Sequence, residues 1–196
     1  RAKRIIPGGN MLLSKRPEMF LPGKWPSYFS RSKGCRVWDL DGNEFIDTSL
    51  MGVGTNILGY GHPEVDEAVT KIIQDGNMST LNCAEEVYLA EKLVQLHPWA
   101  SMVRFARSGG EINSVAVRIA RAFTGRDKIA ICGYHGWHDW YISSNLSDNQ
   151  NLDTHLLPGL ESKGVPRALT GTTLPFQYNQ IDQLENTIKK EESYSR

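Results

Sequence analysis

Only three cysteines occur in 196 residues, at positions 35, 83 and 132, an odd and widely spaced set without a CxxC pair. That arrangement argues against a disulfide framework and against a zinc ribbon, and it fits a reducing, cytoplasmic setting. An excess of one charge sign is lacking too. Lys plus Arg number 22 and Asp plus Glu number 22, so no basic stripe argues for a nucleic acid or an anionic membrane surface. No run approaches the roughly 18 apolar residues of a membrane span, and the start has no signal-peptide hydrophobic region. Small-molecule chemistry is the better expectation. The chain opens on Arg1 rather than Met, as a processed, trimmed or incomplete sequence would, and it is long enough to bury a real core.

What is present falls into recognisable stretches. Pro7-Gly8-Gly9, Pro17, Pro22-Gly23 and Pro26 predict an arm without regular structure that runs over a surface, and Met11, Leu12, Leu13 and Phe20 predict that it packs. Val37–Leu40 and Glu44–Ile46 flank Asp41-Gly42-Asn43, which predicts an antiparallel hairpin. A helix is expected from Pro63 to Gly76, with Val65, Ala68, Val69, Ile72 and Ile73 on one face. A second is expected from about Ala84 to Leu96, with Val87, Ala90, Leu93 and Val94 inward, stopped by Pro98. Met102–Ala106 reads as a short strand. Ile112, Val115, Ala116, Ile119, Ala120 and Phe123 mark the stripe of a helix that Gly125 ends, and a strand follows from Lys128. Strand, helix, strand in that order implies a parallel sheet and an α/β fold. Beyond Tyr134 the chain is polar and without clear period until a last helix, with Ile181, Leu184 and Ile188 on one face.

Two clusters carry chemistry. Ser108-Gly109-Gly110 joins the expected strand to the helix, where ligands bind in open α/β sheets. Backbone N–H groups at a helix start favour an anion there, although a plain capped turn with nothing bound has the same pattern. The second is "CGYHGWHDWY", residues 132–141, which follows the next strand and so opens beside the glycine turn. Tyr134 offers a flat face and His135 or His138 a proton carrier. A packed aromatic loop, or a metal site of His135, His138, Asp139 and Cys132, are the competing readings of that cluster, and the metal reading lacks a firm helical context. Together the two clusters suit a ligand with a phosphate at one end and a planar ring at the other, as in pyridoxal phosphate.

The blocks "IPGG", "GCRVWDLDGNEFID", "ILGYGHPEV", "VRFARSGGE" and "VRIARAFTGRDKIAICGYHG" resemble, in order, the first half of the class III pyridoxal-phosphate-dependent aminotransferases, most nearly their glutamate-1-semialdehyde aminomutase group. The resemblance implies fold type I. Residues 1–60 would be an arm and small-domain hairpin segment, and 61–196 the first part of the large, mainly parallel-sheet domain. It further implies that Ser108, Gly109 and Gly110 receive the phosphate of pyridoxal 5'-phosphate, that Tyr134 stacks on its ring and that His135 completes an aromatic-His-Gly motif. Gly52–Gly54, with Val53, would border the substrate. Ser79–Asn82 would lie near the neighbouring subunit's phosphate in a homodimer. An amino donor and an aldehyde or keto acceptor would be the small-molecule partners, and no metal is implied.

Three departures stand out. Gly110 replaces the family's usual Ser or Thr, so one phosphate-binding hydroxyl is absent while the N–H remains. Val53 stands where the aminomutases usually carry tryptophan, which argues against glutamate semialdehyde as the substrate. The family's ring-nitrogen Asp and Schiff-base Lys belong to the second half of a longer chain. Lys128 matches a different family position, and Lys163, Lys189 and Lys190 sit in polar, solvated context, so no catalytic residue can be assigned. A lysine-less binding or scaffold homologue, or a fragment, is the alternative to an enzyme.

Overall fold

The computed structural model describes residues 1–156 and 158–194, and the chain divides into two compact units, Arg1–Ala84 and Glu85–Arg196. In the first, the proline-rich arm winds through short 3-10 turns, among them Pro7–Gly9 and Pro17–Met19. Lys3 pairs with Glu18, the Tyr28 hydroxyl donates to the Gly9 carbonyl, and Phe20 stacks on Trp25 with centroids 4.5 Å apart. Met11 and Leu12 stay exposed, so the packing expected of them is not seen.

The predicted hairpin is present as β2 (Arg36–Asp39) and β3 (Glu44–Ile46), paired antiparallel with Trp38 opposite Glu44. Its turn closes on Asp39, whose carboxylate accepts from the Asn43 side chain and from the backbone N–H groups of Asp41 and Asn43. Those bonds, the Asn43 side chain first, hold the Asp39 carboxyl below its ordinary pKa. A further strand, β1 (Phe29–Lys33), which the sequence pattern does not announce, pairs antiparallel with β2 and seats the Arg31 guanidinium 3.9 Å over the Trp38 ring. Helix α1 (Pro63–Asp75) forms as predicted, yet Val65, Val69, Ile72 and Ile73 are exposed.

The second unit opens with α2 (Ala84–Leu96), on which Ala90, Leu93 and Val94 are half-buried and Val87 is exposed. Met102–Ala106 is the clearest correction. It forms no regular element and makes no ladder among the described residues, and Met102 is 86% exposed. A strand exists only by its pairing, and the parallel partner of the next strand comes from elsewhere. That strand, β4 (Ile129–Ile131), pairs in parallel with β5 (Thr173–Pro175), so the parallel sheet is real and its second member lies in the stretch that reads as featureless.

Helix α3 (Gly109–Thr124) ends on Gly125 in the left-handed region, whose N–H donates to the Arg121 carbonyl at 2.9 Å. Its expected apolar stripe is largely uncovered, with Phe123 89% exposed, and the residue that packs on the core is Val117. That core gathers Ile131, Trp140, Tyr141, Ile142, Leu152, Leu160 and Val165. It is centred on the short helix α4 (Asp139–Ile142) and the polar segment after it. The last helix, α5 (Ile181–Tyr194), forms as predicted.

Candidate functional site

The glycine turn and the aromatic loop meet in the second unit. Ser108 is extended, with φ −141° and ψ 158°, and its hydroxyl accepts from the Glu111 N–H at 3.3 Å. The Glu111 carboxylate in turn accepts from the N–H of Arg107, the residue before the cap, at 2.9 Å. This is a variant of the S-x-x-E capping box, with the glutamate bonded one residue before the cap. It uses the Glu111 N–H, and the Ile112 N–H goes to the Ser108 carbonyl. Among the described residues the N–H groups of Gly109 and Gly110 are left without acceptors, at the positive end of a 16-residue helix. An anion can be held there at little cost in rearrangement.

The loop after β4 lies directly against this turn. A Cβ added at Gly136, whose φ is +104°, would come 3.1 Å from the Gly110 Cα, and one added at Gly110 would come 2.7 Å from the His138 ring. Trp140 ties the two elements together. Its indole N–H donates to the Ser114 hydroxyl at 3.0 Å, and that hydroxyl donates to the Gly110 carbonyl at 2.9 Å. The buried core therefore anchors the first turn of α3 through two hydrogen bonds.

Tyr134 is 37% exposed and packs perpendicular to Tyr141, with centroids 5.8 Å apart and planes 88° to one another. The ring is thus held by Tyr141 while part of the side chain stays open. Burial pushes the Tyr134 phenol above its ordinary pKa. Burial and the neighbouring Tyr134 push Tyr141 to about 12, so both are neutral hydroxyls at physiological pH. His135 Nε2 lies 2.7 Å from the Cys132 carbonyl, and its ring packs against Trp140 and Tyr141. Bonded to a carbonyl, that nitrogen carries its proton and is not free to pass it on.

Sequence reasoning misses His155. It is 3% exposed, and its Nδ1 accepts the Gly133 N–H at 3.0 Å. The ring therefore pins the residue before Tyr134, where Gly133 turns at φ +85°. A lone histidine in a polar, aperiodic stretch gives no sign of burial, so no pattern could have found it. Burial holds its pKa below the ordinary histidine value, with the nearby His135 acting in the same direction.

Val53 and Asn82 belong to the first unit. Val53, a β-branched residue, sits at φ +60° between Gly52 and Gly54, which also have positive φ. A β-branched residue there is strained, and such strain gathers at ligand-facing segments. Asn82 is exposed in the segment before α2. Among the described residues no group of three His, Cys, Asp or Glu side chains is placed to hold a metal ion.

Fold and geometry thus define an α/β protein with an anion-competent glycine turn beside an aromatic face. The chain belongs to the class-III aminotransferase family, whose model matches residues 23–193. It is 36% identical over 189 residues to the 3-aminobutyryl-CoA aminotransferase of Cloacimonas acidaminovorans, covering 96% of this chain and 41% of that protein. It is 38% identical over 194 residues to the glutamate-1-semialdehyde 2,1-aminomutase of Methanothrix thermoacetophila, covering 98% and 43%. In structure it matches the FumI protein of Sphingopyxis sp. MTA144, solved in its PLP internal aldimine form. The TM-score is 0.79 at 29% identity, with 97% of this chain and 42% of that one covered. The chain thus spans about two-fifths of the length of the relatives it matches.

Proposed function

We propose that this chain is the amino-terminal part of a pyridoxal-phosphate-dependent aminotransferase or aminomutase, working on a small-molecule amino donor and an aldehyde or keto acceptor. The observation that carries this reading is the pair of unbonded N–H groups, Gly109 and Gly110, at the start of α3, against which the loop that bears the partly open Tyr134 lies at Gly136 and His138. A phosphate and a planar heterocycle fit these two features, and family membership supports the pairing. When bound, the cofactor supplies the electron sink for amino-group chemistry.

The roles of this chain's own residues follow. Gly109 and Gly110 bind the phosphate through backbone N–H groups. Ser108 caps the helix and borders the same anion. Tyr134 orients the ring by stacking, itself held by the perpendicular contact with Tyr141. His135 is a positioning residue: its bond to the Cys132 carbonyl keeps the loop closed against the core. Val53 borders the substrate. Asn82 faces the neighbouring subunit's phosphate in a cytoplasmic homodimer, and residues 1–60 and 61–196 divide between the small-domain side and the large domain. The lysine and aspartate that complete the chemistry lie outside this chain.

The test is Gly110→Val in the complete protein. A branched side chain crowds the anion and displaces the loop, so cofactor affinity should fall at least tenfold. Unchanged affinity would show that the phosphate is held elsewhere.

A further inference from the structure

The space that a side chain at position 110 would occupy is not empty. A Cβ built on Gly110 would stand 2.7 Å from both Nε2 and Cδ2 of His138, too close for both to remain, and the next nearest atom of that ring is 4.0 Å away. The edge of the ring bearing Nε2 is therefore the part that faces the first turn of α3. Among the described residues no hydrogen-bond partner engages this ring, unlike those of His135 and His155. The backbone of His138 is firmly held. Its carbonyl accepts from Tyr141 N–H at 3.0 Å and Ile142 N–H at 3.1 Å at the start of the buried α4. The Trp140–Ser114–Gly110 chain of hydrogen bonds fixes α4 against α3. Gly110 and the imidazole are thus pre-positioned together, and a side chain at position 110 cannot enter while the ring of His138 stays in place.

We infer that His138 is an additional phosphate-binding residue: its Nε2–H stands in for the hydroxyl that Gly110 cannot supply and donates to the anion held by the Gly109 and Gly110 N–H groups. This rests on the phosphate assignment of the preceding section. Chemically the substitution is reasonable, because an imidazole N–H donates to phosphate as a hydroxyl does, and more strongly if the ring is charged. The glycine is then not a loss of function at position 110. It is the clearance the ring requires.

The test uses the complete protein and two probes, pyridoxal phosphate and pyridoxal, which lacks the phosphate. His138→Ala should weaken pyridoxal phosphate about tenfold and leave pyridoxal unchanged. His138→Ala vacates the space beside position 110, so adding Gly110→Ser to it supplies a hydroxyl there, and the double variant should recover pyridoxal phosphate affinity to within about twofold of the original protein. Equal losses for both probes would reduce His138 to a structural role and overturn the inference. Unchanged affinity in His138→Ala, with Gly110→Val still damaging, would overturn it while leaving the phosphate site in place. Unchanged affinity in both variants would remove the phosphate site itself.

Discussion

At the scale of single residues, the Tyr134 loop depends on two aromatic rings and one buried imidazole. If Tyr134 works by its flat face, Tyr134→Phe should be mild and Tyr134→Ala severe in cofactor affinity; equal affinities in all three proteins would exclude stacking. His155 acts one residue earlier. Its replacement by Leu leaves the Gly133 N–H buried without an acceptor, which costs about 1–3 kcal/mol. His155→Asn, which places a carbonyl oxygen near the position of Nδ1, should recover much of that, and thermal unfolding of the two variants checks it. The same ring makes an acid prediction. Burial and His135 lower the folded pKa of His155, so as pH falls through the ordinary histidine value of about 6.5, the unfolded chain takes up a proton first and stability drops. The loss should level off once pH passes below the folded value. Unfolding free energies measured across this range should be flatter in His155→Asn, and equal slopes in the two proteins would contradict the buried neutral imidazole.

Among the elements, α3 shows how local rules and tertiary context divide the work. Ser108 and Glu111 satisfy backbone donors at its start, so Ser108→Ala should cost about 1 kcal/mol of stability, seen as a lower unfolding midpoint. The S-x-x-E spacing, the terminal Gly125, the Asp41-Gly42-Asn43 turn and the 3.6-residue periods of α1, α2 and α5 are all written in neighbouring residues, and these elements were legible. Other features depend on partners far along the chain. β5 is three residues long and has no alternation to reveal it. The core around α4 is ordered by side chains reaching distant backbone: the Asn145 amide donates to the Leu160 carbonyl at 2.7 Å, its carbonyl oxygen accepts from Leu152 N–H at 3.1 Å, and the Asp153 carboxylate accepts from Gly159 N–H at 2.7 Å. Polar composition suggested a loop, and those same polar groups are what hold it. The converse error is Met102–Ala106, where the residues suit a strand and no partner pairs with it among those described. For the site, the turn and the aromatic loop were readable as neighbours, while the burial of His155 and the approach of the His138 ring to the space beside Gly110 depend on the folded chain.

At the scale of the whole molecule, charge neutrality and the sequence resemblance both direct attention to a small ligand, and no helix among the described residues is long and apolar enough to cross a membrane. Residues 1–196 alone should not catalyse transamination, because the lysine and aspartate the chemistry needs are proposed to lie beyond them. Borohydride reduction with cofactor should leave no single fully labelled lysine on digestion, and one such lysine would reveal a Schiff-base residue within this chain. The complete protein should have the solution mass of a homodimer, and a monomer fully active at high dilution would contradict the assignment of Asn82 to a neighbour's site. The central claim is that the start of α3 holds the cofactor phosphate. A crystal structure of the complete protein with pyridoxal phosphate tests it most directly: the account predicts phosphate oxygens within hydrogen-bond distance of the Gly109 and Gly110 N–H groups, with the pyridine ring lying across Tyr134. A phosphate seated on other residues, with those two N–H groups facing solvent, would contradict it.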